Sequence, residues 1–408
     1  MPNKKILVVC QHFWPESFRI NDICDYLQDE QYEIDVLCGI PNYPKGYFFE
    51  GYGLLKNKKQ RYKDVNIYRS YEIPRKSNSN IRIFLNYMSF PFTSLFRIPR
   101  LLRKDYDKIF MYQLSPVMMS IAGLIIGKIK KKEKIMYVLD LWPENLFSVI
   151  DVQNKFARKL LTKVSHWHYR QADKIIVLSQ AMKDKIQKIT NLPDDKLIIV
   201  PQACEKFYEE PIVDEVLNDR FKGKFNIVYA GNISPAQSFE TILDAAELLD
   251  DGERKNINFI IVGEGMSYKW LREEVEKRDL VDLFTFEGQM PPEEIPRYTT
   301  IADALIGCLV KSDLLEATIP AKVMSYLAAG KPLLLSMDGE VQDLVNNAIK
   351  CGYASETGDA KQLSENIKGL YQTSESERQK MGTRALEYHF ANFERNLVLS
   401  KLEAFMQS

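Results

Sequence analysis

Short apolar runs alternate with segments in which apolar residues return every three or four positions, and the alternation continues along the whole chain. The runs predict strands over Lys5–Cys10, Glu33–Gly39, Val65–Ser70, Lys108–Tyr112, Lys134–Val138, Lys174–Leu178 and Leu197–Val200. A second series covers Asn226–Ala230, Asn258–Val262, Leu283–Glu287, Ala304–Cys308 and Pro332–Ser336. These runs are apolar throughout, as in parallel strands buried on both faces. Helical patterns such as Ser238–Leu249 and Tyr268–Arg278 lie between them. Repetition of strand, helix and strand at this spacing predicts doubly wound α/β units.

The series restarts once. A polar, acidic stretch follows Val200, and Asn226–Gly231 then opens like a fresh first strand. This places a domain boundary near 205–222 and predicts an N-terminal domain over 1–205 and a C-terminal domain over 206–392. The last segment, from Asp359 to Ser408, reads as helices. Ligands of open α/β sheets bind beyond the carboxyl ends of the strands, so two such domains would enclose a ligand in a cleft.

Composition narrows the classes. Lys plus Arg and Asp plus Glu both number 55 in a chain of 408 residues. That balance disfavours a nucleic-acid partner, which asks for a basic face. Six cysteines are scattered without a C-x-x-C pair, which argues against a disulfide framework or a zinc site and fits a reducing cytoplasm. The N-terminal apolar run is too short for a signal peptide, and Val117–Ile129, broken by Lys128, is too short to span a bilayer.

Residues 77–103, SNSNIRIFLNYMSFPFTSLFRIPRLLR, interleave aromatic and aliphatic residues with Arg82, Arg97, Arg100 and Arg103. Two readings stand: a cover on the N-terminal sheet with solvated arginines, or peripheral contact with an anionic membrane.

The candidate chemistry sits at predicted strand ends. In VYAGNIS, Gly231 and Asn232 follow a strand and precede a helix, a turn whose backbone can approach a phosphate. In IIVGEG, Gly263 and Glu264 form a similar turn at the same sheet edge. In LEATIPAKVMSYLAAGKPLL, Pro320 suits a first helical turn and Gly330 a stop. Lys322 then lies in the first turn, where a cation opposes the helix dipole. A lysine held there is either an unremarkable surface residue or a partner for an anionic ligand. In YVLDLWPEN, Asp140 and Glu144 follow a strand, and Trp142 is expected in a loop as a stacking platform for a sugar; the other reading is a core Trp142 with Asp140 as a helix cap. QHFWPESFRINDI, with His12, Trp14 and Arg19, is of the same kind.

These motifs, with PNYPKGYFFEGYG at Pro41–Gly53 and ADKIIVLSQAM at Ala172–Met182, occur in one order along nearly the whole chain. Together they resemble the retaining GT-B glycosyltransferases of family four, in particular the L-fucosamine-type branch of bacterial surface polysaccharide assembly. The resemblance implies a GT-B fold: two Rossmann-like domains facing across a cleft, with the C-terminal helix, 393–408, crossing back to the N-terminal domain. It implies a UDP-sugar as co-substrate, carrying an N-acetylated amino sugar and held by Gly231, Asn232, Gly263, Glu264, Lys322 and Ser325. It further implies Asp140, Glu316 and His12 at the reacting centre. The acceptor, an undecaprenyl-diphosphate-linked saccharide or another glycan, would lie against Trp14, Arg19, Trp142 and Glu144.

The chain departs from the family pattern. Asn232 and Gln237 stand where basic diphosphate-binding residues are common. The usual pair of glutamates falls on Ala317, with Glu316 beside it, and on Ser325. Diphosphate neutralisation would then rest on Lys322, with Lys311, helix dipoles and the N–H groups near Gly231. No D-x-D element stands at a predicted strand end, so no metal and no other cofactor is expected. The reading is of an enzyme of capsule or O-antigen type polysaccharide synthesis, cytoplasmic or peripheral on the inner face of the membrane. The alternatives are a nucleotide-sugar 2-epimerase of GT-B fold and a non-catalytic GT-B scaffold subunit.

Overall fold

The computed structural model describes residues 4–408 apart from 44–45, 55, 58, 75, 77–79, 150–153, 209–210 and 312–318. The chain divides into two compact units, Met1–Pro201 with Leu399–Ser408, and Gln202–Val398. The sequence had placed the divisions at 205/206 and 392/393.

In the first unit the strands are β1 (Lys5–Val9), β2 (Glu33–Cys38), β3 (Lys59–Tyr62), β4 (Val65–Arg69), β5 (Lys108–Gln113), β6 (Glu133–Val138), β7 (Lys174–Val177) and β8 (Leu197–Ile199). They form one sheet in the order β3-β4-β2-β1-β5-β6-β7-β8. Every pairing is parallel except that of β3 with β4. In the second unit, β9 (Phe225–Ala230), β10 (Ile257–Val262), β11 (Phe284–Gly288), β12 (Ala304–Cys308), β13 (Leu333–Ser336) and β14 (Gly352–Ser355) make an all-parallel sheet. Its order is β11-β10-β9-β12-β13-β14. The order reverses about β1 in one sheet and about β9 in the other. The carboxyl ends of β1 with β5, and of β9 with β12, are therefore the switch points at which such sheets open a crevice.

Burial on both faces explains the unbroken apolar runs. Along β9, Ile227 and Tyr229 enter one buried cluster while Val228 and Ala230 enter another on the opposite face. Successive side chains of a strand point to opposite sides, so a strand covered by helices on both sides needs apolar residues at every position. Strands β3 and β14 were not expected. β3, KQRY, is an edge strand whose residues alternate between exposed and half-buried, so it carries no apolar run. β14, GYAS, is short, and Gly352 has no side chain to signal burial.

The C-terminal helix, Arg395–Gln407, delivers its last turns to the first unit. Lys174, fully buried at the start of β7, binds them. Its ammonium donates to Phe405 O and Ser408 Oγ, both at 3.2 Å, and pairs with Glu133 Oε1 at 3.2 Å. A buried ammonium is costly unless paired, and here chain end and carboxylate share the task. Lys108 reinforces the junction by donating to Glu133 Oε2 at 2.6 Å and to Met406 O. No helix among the described residues is long and apolar enough to cross a membrane.

Candidate functional site

Gly231 and Gly263 follow β9 and β10 at the carboxyl edge of the second sheet. Gly263 has φ +138°, and a Cβ there would lie 2.0 Å from Gly231 O. Only glycine allows the two turns to meet so closely. The turns are also tied by hydrogen bonds: Gly231 N donates to Val262 O and Ile233 N to Glu264 O, each at 2.9 Å. This corrects one expectation. The N–H groups of Gly231 and Ile233 hold the neighbouring turn and are not available to a phosphate. Asn232 and Glu264 are exposed at this edge.

Lys322 fills the space beside Gly231. It stands in the first turn of the helix Ala321–Ala328, behind Pro320. A Cβ on Gly231 would lie 3.3 Å from Lys322 Cε. The ammonium sits 3.7 Å from the centre of the Tyr229 ring and donates to Gln237 Oε1 at 2.5 Å. The Tyr229 hydroxyl donates to Asn232 O at 2.8 Å and also lies 3.1 Å from Gln237 Oε1. No carboxylate among the described residues pairs with Lys322. Burial of the ammonium pulls its pKa down to about 7, against a small upward pull from Cys308. The lysine thus has an aromatic face and a neutral amide as neighbours, and no counter-charge among the described residues, near the β9/β12 switch point.

One turn further along the helix, Ser325 is buried and donates to Glu205 Oε2 at 2.8 Å, with Ala321 O also within reach at 3.2 Å. Glu205 therefore places a carboxylate beside the position where the family pattern has a glutamate and this chain has a serine. Lys311 pairs with Asp338 Oδ2 at 3.7 Å on the surface. Glu316 and Ala317 lie outside the described residues.

In the first unit, the residues after β1 form a polar cluster with the loop after β2. His12 Nδ1 lies 3.0 Å from Glu16 Oε2. Glu16 Oε1 in turn accepts from the backbone N–H groups of Asn42 and Tyr43, both at 2.7 Å. The His12 ring stacks on Phe18 with centroids 4.7 Å apart. Glu16 and Phe18 thus hold the imidazole in one orientation while pinning the loop after β2. Trp14 is partly exposed and stacks on Tyr62 at 4.9 Å. Arg19 opens the helix Arg19–Asp29 and lies near the Tyr137 hydroxyl.

Asp140 Oδ2 accepts from Ser115 N at 2.9 Å and from Ser115 Oγ at 2.7 Å, joining the ends of β6 and β5. Burial raises its pKa, and the Ser115 bonds oppose that rise. Trp142 departs from expectation. It is 2% exposed, and its indole Nε1 donates to Ser115 Oγ at 2.9 Å. Its ring is a core element, not a platform for a sugar, because an indole whose N–H finds an internal partner is best buried. Glu144 pairs with Lys185 at 3.1 Å.

Several residues that shape these sites gave no local signal. Tyr229 reads as one more strand residue, Gln237 as the loss of a basic residue, and Glu205 as part of an acidic connecting stretch. Glu16 and Ser115 likewise acquire partners only through long-range folding. Among the described residues, no group of three or more His, Cys, Asp or Glu is placed to hold a metal ion.

The chain is similar to known proteins in sequence and in fold. Residues 216–388 match the family model of glycosyl transferases group 1. The probable glycosyltransferase WbjE of Pseudomonas aeruginosa is 26% identical over 211 residues, which cover 50% of this chain and 51% of that protein. The match therefore spans about half the length of that relative. The putative colanic acid biosynthesis glycosyl transferase WcaI of Escherichia coli K12 is 23% identical over 341 residues, 80% of this chain and 81% of its own. Among solved structures, the Anabaena protein Alr3699/HepE in complex with UDP superposes with a TM-score of 0.71 at 14% identity, covering 99% of both chains. Residues 216–388, less than half of the chain, thus match the glycosyl transferases group 1 model, in a chain that carries the GT-B fold.

Proposed function

We propose that the chain transfers a sugar from a UDP-linked donor to a lipid-linked or glycan acceptor, with retention at the anomeric carbon, in the making of a bacterial surface polysaccharide. The observation that carries this reading is Lys322: a desolvated ammonium without a carboxylate partner among the described residues, beside a glycine turn within the stretch that matches the group 1 model. Relatives named for polysaccharide biosynthesis and a structural neighbour in complex with UDP support the choice of pathway and of nucleotide. An N-acetylated amino sugar is the cargo, and an undecaprenyl-diphosphate-linked saccharide the acceptor.

In this reading the bond from the anomeric carbon to the UDP oxygen breaks, and a bond from that carbon to an acceptor oxygen forms. The proton of the acceptor hydroxyl passes to solvent, and UDP leaves with the electron pair of the broken bond and so with the new negative charge. Lys322 meets that charge in a desolvated setting, where a fixed cation stabilises a transition state most. Ser325 and Glu205 present a hydroxyl and a carboxylate to the donor's own hydroxyls. Asp140 and His12 serve the acceptor side, with His12 oriented by Glu16. No metal takes part.

The test is thermal stabilisation by UDP, GDP, ADP and CMP, with and without EDTA, on wild type and Lys322→Ala. A ligand at about a hundred times its Kd adds roughly 2.7 kcal/mol to the folded state. Stabilisation by UDP alone, insensitive to EDTA and lost in the variant, is the expected result. No response to any nucleotide would overturn the reading and favour a non-catalytic scaffold.

A further inference from the structure

The helix Asn80–Ser94, with the turns Leu95–Arg97 and Ile98–Leu101 that extend it, buries one side and exposes the other. Asn86, Phe90 and Ser94 face the interior of the first unit. On the opposite side, Phe84, Leu85, Met88, Phe92 and Phe96 make a continuous stripe, and the three phenylalanines are 59%, 65% and 72% exposed. Phe92 and Phe96 touch edge to face, with ring centroids 5.5 Å apart. Scattered exposed apolar residues need no explanation, whereas a contiguous stripe of them marks an interaction surface.

The charge around the stripe selects the partner. From Ile73 to Lys104 the sequence holds Arg75, Lys76, Arg82, Arg97, Arg100, Arg103 and Lys104 and no acidic residue. In a chain whose basic and acidic residues balance overall, this is a local excess of one sign. Arg100 and Arg103 are exposed beyond the end of the stripe. The apolar surface also continues inward, into a cavity of about 260 Å³ lined in part by Ile40, Leu54, Ser70, Phe96 and Arg97. The Ser70 hydroxyl is buried there with no hydrogen-bond partner among the described residues. Exposed phenylalanines beside the exposed Arg100 and Arg103 match a surface that is apolar beneath and anionic above.

We propose that the stripe Phe84–Phe96 docks this protein on an anionic phospholipid bilayer. The phenylalanines enter the boundary between head groups and acyl chains, and Arg100 and Arg103 lie on lipid phosphates. A helix lying in the interface buries its apolar face by about 5–10 Å, and binding combines apolar area with attraction to anionic lipid. The docking does not depend on the nucleotide reading, since it uses none of the residues assigned to the donor.

The experiment is flotation of the full chain with vesicles of phosphatidylcholine alone and of phosphatidylcholine with about a third phosphatidylglycerol. Wild type should float with the anionic vesicles, remain behind with the neutral ones, and lose binding as salt rises. Arg100→Glu with Arg103→Glu should lower partitioning at least tenfold, since each basic residue near the surface is worth about a factor of five. Phe92→Ser with Phe96→Ser should lower it by a similar factor. These positions are exposed, so circular dichroism and the urea midpoint should stay at wild-type values, separating lost docking from lost folding. Failure of wild type to float with anionic vesicles overturns the proposal, as does unchanged flotation of the phenylalanine variant. It is equally overturned if wild type sediments as a dimer that Phe92→Ser with Phe96→Ser converts to monomer, since the stripe would then join two copies of the chain.

Discussion

The ammonium of Lys322 lies 3.7 Å from the centre of the Tyr229 ring. A cation over an aromatic face is held by the ring quadrupole, but such contacts compensate only part of the charge's lost hydration. The depressed pKa, about 7, expresses that shortfall. An arriving diphosphate would remove it.

Nucleotide affinity should therefore fall as pH rises. The free protein holds its Lys322 proton only below about 7, whereas the anion binds the protonated form. Above that value, binding must take up a proton, and UDP affinity should drop by up to about tenfold per pH unit. Calorimetry in two buffers of different ionisation heat measures the proton directly. Lys322→Arg stays charged at every accessible pH, so it should remove the pH dependence whatever affinity remains. A Lys322→Arg profile as steep as that of wild type would assign the proton to another group.

The same shift predicts a stability change of the opposite sign. Lys322 has a folded pKa of about 7 against an ordinary value of 10.5. Between those values the unfolded chain binds the extra proton, so stability rises with pH across that window. Below it the folded state carries the full burden of a desolvated charge. Lys322→Met should consequently stabilise the ligand-free protein by about 1 kcal/mol near pH 6, as replacement of strained site residues commonly does. It should at the same time lose its response to UDP. Urea midpoints at pH 6 and pH 10, with the difference vanishing at the higher pH, check this.

Gly263→Ala should be severe. The new methyl would face Gly231 O at 2.0 Å from a residue at φ +138°, so strain and overlap act together. A cost of at least about 3 kcal/mol follows from backbone strain with overpacking. Gly223, at φ +91° with open space around it, provides the control: strain alone should cost about 1 kcal/mol there. Equal urea midpoints for the two variants would show that the turns are not in contact.

Glu16→Gln should loosen the first unit's site without unfolding it. The carboxylate accepts from Asn42 N, Tyr43 N and His12 Nδ1. An amide in its place has one acceptor oxygen, so at least one of these partners loses its bond. A loss of about 1–3 kcal/mol is expected, as for other buried groups left unsatisfied. Hydrogen exchange at Asn42 and Tyr43 should accelerate locally, while amides in β1 and β5 stay protected.

Lys174→Met tests the tie between the chain end and the sheet. It removes the donor to Phe405 O and Ser408 Oγ and leaves Glu133 with Lys108 alone. Exchange at amides of the last helical turns, or proteolysis beyond Leu399, should rise at least tenfold, corresponding to about 1.4 kcal/mol of lost local stability.

Much of this architecture is legible in the chain. Parallel strands buried on both faces need apolar residues at every position, so strands such as β9 and β12 announce themselves, and a restarted series announces two sheets. The turns after β9 and β10 are visible because only glycine tolerates their approach. Lys322 is visible because a cation in a first helical turn opposes the dipole. Partners are another matter. That Tyr229 and Gln237 are the neighbours of Lys322, that Glu205 reaches Ser325, and that Trp142 turns inward to Ser115 depend on segments up to 120 residues apart meeting in space. Local pattern reports whether a side chain is buried on a strand or helix, through periodicity. Which groups face one another, and which charge is left uncompensated, is decided by how the crossovers return each strand to the sheet, and that belongs to the tertiary structure alone.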